Sequence, residues 1–248
     1  MNRIIDSPLA IFFIALFALW GAAFIGDGLR RRVRPVKQDE RDDLDTVLAA
    51  TLTLLALIIG FSFSMAVNRY DQRKTCEAAE ANAIGTEYIR ADLLPANDAA
   101  AVRSLLRKYL DQRIAFYRGG GHQTDGADLE QLQIALWAPV AHAAALQPTP
   151  VVTLAVSGMN DVLNSQSYTQ AAWSNRIPVA AWVLMGLIAI FANLLLGYRE
   201  RSRGFIALLI LPVVSSIAFF LVADIDSPYG GAIGVSPTNL VTTSQFMK

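Results

Sequence analysis

Four long apolar stretches limit what this chain can fold into more than any other feature. They cover residues 8–26, 47–67, 177–197 and 204–223, and none of them holds an Asp, Glu, Lys, Arg or His. Each is about 20 residues long, and at about 1.5 Å per residue a helix of that length crosses the ~30 Å hydrocarbon core of a bilayer. The sequence therefore predicts a multi-pass protein of the inner cell membrane.

The composition excludes two broad function classes. Hydrophobic residues make up 54% of the chain and charged residues only 17%, whereas typical soluble domains carry about 25% charged residues. This balance excludes a soluble enzyme. The 21 Lys and Arg residues are matched by 21 Asp and Glu residues, and the lack of a basic excess argues against nucleic acid as a partner.

The order of the apolar stretches predicts an all-α architecture. We expect a first transmembrane helix pair in residues 1–67, a helical extramembrane insert in 68–176, a second pair in 177–223 and an irregular tail in 224–248. No turn signal follows residue 67, so the second membrane helix is expected to continue into water until Pro95 stops it. Later apolar residues of the insert recur at steps of three and four, which is typical of helices with one buried face.

The distribution of basic residues predicts an orientation. Within each pair a loop joins the two helices, and these two loops with the residues next to them hold nine basic residues: Arg30, Arg31, Arg32, Arg34, Lys37, Arg41, Arg199, Arg201 and Arg203. The other side of the membrane holds five: Arg3, Arg69, Arg73, Lys74 and Arg176. Because basic residues are enriched in cytoplasmic loops, we expect the insert and both termini to lie outside.

The second membrane helix has an unusual polar gradient. One of its faces carries residues at steps of three and four, namely Thr53, Leu57, Phe61, Ser64 and Asn68. The basic residues Arg69, Arg73 and Lys74 follow directly. If several copies of this helix surrounded an axis, that face would line a pore with an apolar constriction, and the basic residues at its mouth would favour anions.

The same residues are open to a simpler interpretation. Ser62 and Ser64 are small enough for a tight helix–helix interface, and the arginines are ordinary anchors at the membrane surface. On that interpretation the protein is a non-conducting membrane sensor or scaffold, which acts through its insert. Arg69 and Asn160 then contact a partner rather than an ion.

Polar residues of the insert predict structural contacts rather than chemistry. Arg73 precedes Glu77 by four residues and Arg90 follows Glu87 by three, which are spacings of ion pairs on a helix surface. We expect Glu80 and Glu87 to form salt bridges within or between subunits. Asn160 and Asn164 share a face and are expected to hydrogen-bond across a helix interface. No residue spacing suggests a catalytic site, a metal site or a cofactor, so we do not expect an enzyme.

Two sets of residues resemble known membrane proteins. Gly60, Phe61, Arg69, Tyr70 and Lys74 have the spacing found at the end of the second membrane helix in bestrophin anion channels. Residues 80–95 (EANAIGTEYIRADLLP) and 224–231 (DIDSPYGG) are similar to a family of membrane proteins with a bestrophin-like domain.

The resemblance implies a homo-oligomeric ring, a pentamer, that conducts small anions. It also implies a narrow neck formed by Phe61 with Leu57 and Thr53, which stand four and eight positions earlier. Bestrophins place their polar layer in the cytosol, so the resemblance implies the opposite orientation to the distribution of basic residues.

Overall fold

A computed structural model describes residues 7–32, 38–119, 126–199, 205–229 and 231–248. Within these ranges every regular element is a helix and no strand occurs. The α-helices are α1 Pro8–Arg32, α2 Gln38–Arg90, α3 Ala96–Arg118, α4 Gly126–Leu146, α5 Pro150–Ser174, α6 Val179–Arg199, α7 Phe205–Asp226 and α8 Thr238–Phe246. A short 3₁₀ helix, Ala91–Leu93, follows α2. The all-α prediction is therefore confirmed.

The chain divides into two compact units. The membrane unit comprises Met1–Asn68 and Arg176–Ile233, and the helical unit comprises Arg69–Asn175 and Gly234–Lys248. Four helices are long and apolar enough to cross a membrane, as predicted, and each of them overlaps one of the four apolar stretches. The 53-residue helix α2 is about 80 Å long at 1.5 Å per residue. Only its apolar part, residues 47–67, matches the hydrocarbon core, and its charged continuation belongs to the helical unit.

The membrane unit is held together by small and apolar side chains. Helices α1 and α6 approach each other at two glycines: a Cβ atom on Gly197 would overlap the carbonyl oxygen of Ala23, and one on Gly26 would overlap that of Leu194. Such glycines let helix backbones come into direct contact inside a bilayer. A buried cluster then joins α1, α2, α6 and α7, and it consists of Leu19, Leu55, Met185, Ala189, Ala192 and Phe219.

Two carboxylates organise the backbone around the end of α7. Asp226 accepts hydrogen bonds from the backbone N–H of Ile177, at 3.2 Å to each oxygen. Asp224 accepts from the N–H groups of Ala232 and Ile233 at 2.7 and 3.0 Å. A Cβ atom on Gly231 would overlap the carbonyl oxygen of Asp224. These contacts give residues of the 224–231 string a structural role in the membrane unit.

The helical unit has a separate core built from the predicted apolar faces. Helix α3 packs against α4, and α4 against α5. The buried side chains at their centre include Val102, Leu106, Tyr109, Leu136, Val140 and Met159. The steps of three and four that predicted buried faces are confirmed for all three helices.

The C-terminal segment differs from the expectation of an irregular tail. It contains helix α8, whose sequence is rich in Thr and Ser and has low intrinsic helix propensity. Tertiary contacts stabilise it: the Glu77 carboxylate accepts from the backbone N–H of Asn239 at 2.9 Å and of Leu240 at 3.0 Å. A carboxylate at a helix N-terminus satisfies free N–H groups and interacts favourably with the helix dipole. The composition of the segment predicted an irregular tail, because the residue that stabilises the helix, Glu77, lies far away in the sequence.

Candidate pore-lining helix

The membrane part of α2 has two faces of different character. One face packs inside the membrane unit and buries Leu48, Leu55, Ser62 and Ala66. These residues recur at steps of seven and four, so they form one stripe along the helix. The packed stripe fixes which side of α2 is turned away from the rest of the unit.

The candidate pore face lies opposite the packed stripe. At 100° per residue its five positions, from Thr53 to Asn68, centre on a direction about 160° from Leu55 and about 140° from Ser62. All five are exposed, with exposed fractions of 52% for Leu57 and 62% for Phe61. We refer to Thr53, Leu57, Phe61, Ser64 and Asn68 as the exposed stripe.

Helix α2 is also the least covered of the four membrane helices. Only 17% of its most apolar window is buried, compared with 28% for two of the others and 44% for α7. Large side chains are exposed on it outside the stripe as well, Leu54 and Phe63 among them. Because so much of its surface is left open, lipid or other protein copies must cover it in the membrane.

The hydroxyl groups of this helix are accommodated in two ways. Thr53 donates from Oγ1 to the backbone carbonyl of Ala49 at 2.8 Å, which satisfies the hydroxyl inside its own helix. Ser62 is buried at 1% exposure, whereas Ser64 is exposed. The tight-packing interpretation therefore fits Ser62, and Ser64 stays on the exposed stripe.

The three basic residues that follow have different environments. Arg69 is half-buried, and its Nε donates to Oδ1 of Asn175 at 3.4 Å. Arg73 is only 2% exposed, and Lys74 is exposed. A buried guanidinium cannot meet an ion directly, so Arg69 and Lys74 are the basic side chains that can contact ions at a pore mouth.

Glu80 has a buried partner that the sequence spacing did not predict. Its carboxylate binds the guanidinium of Arg113 through both oxygens, with Nη2–Oε2 at 3.2 Å and a shorter Nε–Oε1 contact. The Thr169 hydroxyl donates to Oε2 at 3.2 Å. Desolvation opposes the charged form of Arg113, but the attraction of Glu80 outweighs it and raises the pKa of Arg113. The pair is therefore an internal salt bridge between α2 and α3.

The sequence does indicate that Arg113 is buried and needs a partner of opposite charge. It follows Tyr109 by four residues and stands on the apolar stripe of α3, between side chains that are buried. A charged residue on a buried helix face must find an opposite charge. The partner could not be identified from spacing, because Glu80 lies 33 residues away.

Glu87 does not lie on the helix surface, where its spacing to Arg90 predicted an ion pair. The residue is 0% exposed, and in the part of the chain that the structure describes neither carboxylate oxygen has a hydrogen-bond partner. No ion pair joins it to Arg90 within those residues. Burial raises the pKa of Glu87 to about 8, against a smaller opposing effect of Arg90.

The two candidate amides of α5 are turned outward. Asn160 and Asn164 are exposed, as is Tyr168 one turn further along. They lie on the face opposite the buried Val152, Met159 and Val162. Among the described residues, no group of three or more His, Cys, Asp and Glu side chains could hold a metal ion.

Comparisons with known proteins define the class of fold. Two solved structures of point variants of a bacterial bestrophin homologue from Klebsiella pneumoniae match with TM-scores of 0.68 and 0.65, at 12% and 14% identity. The first match covers 95% of this chain and 97% of that chain, and the second covers 97% of each. A further structure, described as a membrane protein, matches with a TM-score of 0.66 at 12% identity, covering 95% of this chain and 97% of that one. At these identities the likeness shows that the fold is shared.

The family follows from the sequence itself. A family model for the Bestrophin-like domain matches residues 16–240, which is most of the chain. The chain therefore belongs to the Bestrophin-like family. Comparison with curated proteins gives no match.

Proposed function

We propose that this membrane protein is a homo-oligomeric anion channel in which α2 lines the conduction path. The observation that carries the proposal is the exposed stripe of α2, which lies opposite the stripe that packs inside the membrane unit. Membership of the Bestrophin-like family and the shared fold with bacterial bestrophin homologues support the same function. Several copies arranged as a ring, a pentamer by the family resemblance, bring these stripes together around an axis.

The residues of the stripe have distinct roles in this proposal. Leu57 and Phe61 form an apolar constriction, and Thr53 stands one turn before it. Apolar constrictions in channels control conduction by excluding water. Ser64 and Asn68 supply a hydroxyl and an amide to ions that are regaining their hydration shell.

Basic side chains then select the sign of the ion. Arg69 and Lys74 follow the stripe on the same helix and raise the concentration of anions near the mouth. In the ring each is repeated once per copy, so their fields add. A pore of this kind is passive, because the apolar stretches contain no ionisable group that could carry a proton or couple to a second ion.

Flux through liposomes tests the proposal. Reconstituted full-length protein is expected to conduct chloride down a gradient, and Phe61→Ala is expected to raise the rate because it widens the constriction. Phe63→Ala is the matched control: it removes the same exposed ring from the same helix, about 200° around from Phe61. An absence of flux in all three proteins under every gradient contradicts a channel.

The orientation proposed from the basic residues places the insert outside the cell, opposite to the family resemblance. Cys76 is the single cysteine, but burial raises the pKa of its thiol and makes it a slow reporter. A Gln131→Cys substitution in a Cys76→Ser background puts a reactive thiol on the exposed side of α4. Labelling of intact spheroplasts by an impermeant reagent supports an outside insert, and labelling only after permeabilisation places it in the cytosol.

A second candidate function is a non-conducting sensor or scaffold. The exposed row Asn160, Asn164 and Tyr168 on α5 favours it, because a row of hydrogen-bonding side chains on a helix surface can bind a partner protein. Oligomeric state in detergent separates the two functions. A monomer has only one copy of α2 and cannot form a ring pore.

A further inference from the structure

Glu87 is an exception among the buried carboxylates on the helical-unit part of α2. Glu77 accepts hydrogen bonds from the first turn of α8, and Glu80 binds Arg113. Glu87 is equally buried, yet within the described residues its two oxygens have no hydrogen-bond partner. An unpaired charge is far more costly to bury than a neutral carboxyl group. The surroundings of Glu87 therefore favour its protonated form.

A glycine on the facing helix makes this contact unusually close. A Cβ atom on Gly158 of α5 would overlap Oε2 of Glu87 and would lie 2.6 Å from Nη1 of Arg90. Glycine is unfavourable in the middle of a helix, because it gains no side-chain contact and loses more backbone entropy than other residues. The close approach of the Glu87 carboxyl group explains why α5 tolerates a glycine here.

Two charged groups act on this carboxyl group besides its burial. Arg90, on the same helix, favours the ionised form, whereas Asp161 on α5 favours the protonated form. Burial is the largest effect and exceeds the attraction of Arg90. Arg90 is nonetheless near enough to receive the carboxylate if the side chain leaves Gly158.

We propose that Glu87 is a proton-binding switch between α2 and α5. With the carboxyl group protonated, the two helices pack as described, with Gly158 against Glu87. Loss of the proton drives the carboxylate away from Gly158, towards Arg90 and water, and loosens the contact between the helices. The proposal does not rest on ion conduction, and it assigns to the helical unit a response to pH.

The direction of the pH effect on stability follows from the two states of the group. In the unfolded chain Glu87 titrates near its ordinary pKa of 4.5, and in the folded protein at about 8. Between these values the folded state binds more protons than the unfolded state, so raising the pH destabilises the fold. The stability due to the protonated form is fully present below about pH 4.5, and it is lost as the pH rises through about 8.

Infrared spectroscopy of the full chain in detergent tests the switch directly. The stretching band of a protonated carboxyl group is expected to disappear with a midpoint near pH 8 in the wild type and to be missing in Glu87→Gln. Glu130→Gln, which removes an exposed carboxyl group from α4, is the matched control and is expected to keep the band. A titration midpoint below pH 6, or a band that persists unchanged in Glu87→Gln, overturns the proposal.

Two further variants keep the test valid if Glu87→Gln fails to fold. Asp161→Asn removes an exposed negative charge and is expected to lower the midpoint, and Arg90→Gln is expected to raise it. Thermal unfolding is a second readout that does not depend on the infrared band. Between pH 5 and pH 9 the melting temperature of the wild type is expected to fall by several degrees more than the melting temperature of Asp161→Asn. Midpoints that do not move in either variant contradict the proposed surroundings of the proton.

Discussion

Hydroxyl and amide groups inside the apolar stretches of the membrane unit make hydrogen bonds of a different kind from the buried carboxylates of the helical unit. Inside those apolar stretches, side chains bond to the backbone of their own helix one turn earlier: Ser216 donates to Pro212 at 2.7 Å, and Asn193 donates to Ala189 at 2.8 Å. In the helical unit, two buried carboxylates bond across long sequence distances: Glu80 and Glu77 reach partners on α3 and α8. Local bonds suit a bilayer, where no water is available to a group that lacks a partner.

This difference indicates where each unit is sensitive to mutation. The membrane unit depends on close contacts between small residues, and the hydroxyl and amide side chains named above bond within their own helices rather than between helices. The helical unit depends on a few buried charged side chains, and leaving one of them without its partner costs much free energy of folding. The difference also separates their roles, since the open surface of α2 lies in the first unit and the proposed proton switch in the second.

The largest effect is expected from breaking the buried salt bridge of the helical unit. Arg113→Met leaves the Glu80 carboxylate without its cation at 0% exposure. Removing one partner of a buried pair costs about 3–5 kcal/mol. Chemical or thermal unfolding in detergent measures the loss.

The control for Arg113→Met is Arg103→Met, which removes an arginine from the same helix. Arg103 pairs with Asp92, whose side chain is 69% exposed, so the substitution should cost far less. Equal losses in the two variants contradict the idea that buried charge organises this unit.

A smaller effect is expected from separating two membrane helices. Gly197→Ala introduces a methyl group that would lie 2.8 Å from the carbonyl carbon of Ala23 and overlap its oxygen. Overpacking of this kind typically costs about 1–3 kcal/mol. Gly186→Ala on the same helix meets no atom within 4 Å and is expected to be neutral or slightly stabilising. If Gly186→Ala lowers the melting temperature as much as Gly197→Ala, close contact between α1 and α6 is not what holds them.

The smallest effect is expected at the exposed pair of the helical unit. Asp92→Asn removes the charge that faces Arg103, and exposed ion pairs contribute about 0–1 kcal/mol. The melting temperature should change by no more than a few degrees, and the change should vanish at high salt. A large loss that persists at high salt would show that the pair belongs to the core.

The fold could be predicted from the sequence wherever the information is local. Apolar stretches of membrane length, steps of three and four, and the stop at Pro95 depend on neighbours in the chain, and they predicted the helices. Helix α8 could not be predicted in this way. Its sequence favours a helix only weakly, and the carboxylate that caps it, Glu77, is far away in the chain.

The candidate site shows the same division. The steps between Thr53 and Asn68 predicted a shared face, and the structure turns that face away from the packed stripe of α2. The sequence could not show that Arg73 is buried or that Gly158 lies against Glu87. Both depend on which helices meet, and periodicity predicts only which face of a helix is apolar.

The exposure of the stripe to water tests the central claim most directly. In a Cys76→Ser background, Ser64→Cys places a thiol on the exposed stripe, and Phe63→Cys places one on the neighbouring surface of α2. Both positions are exposed in a single chain, so only assembly around an aqueous path distinguishes them. The two proteins in liposomes are treated with a hydrophilic thiol reagent, and modification is measured by mass spectrometry. The reagent should modify Ser64→Cys. It should leave Phe63→Cys unmodified, because that position faces lipid or a subunit interface. Modification of Phe63→Cys with Ser64→Cys unmodified, or no modification of either, would contradict a pore lined by this face of α2.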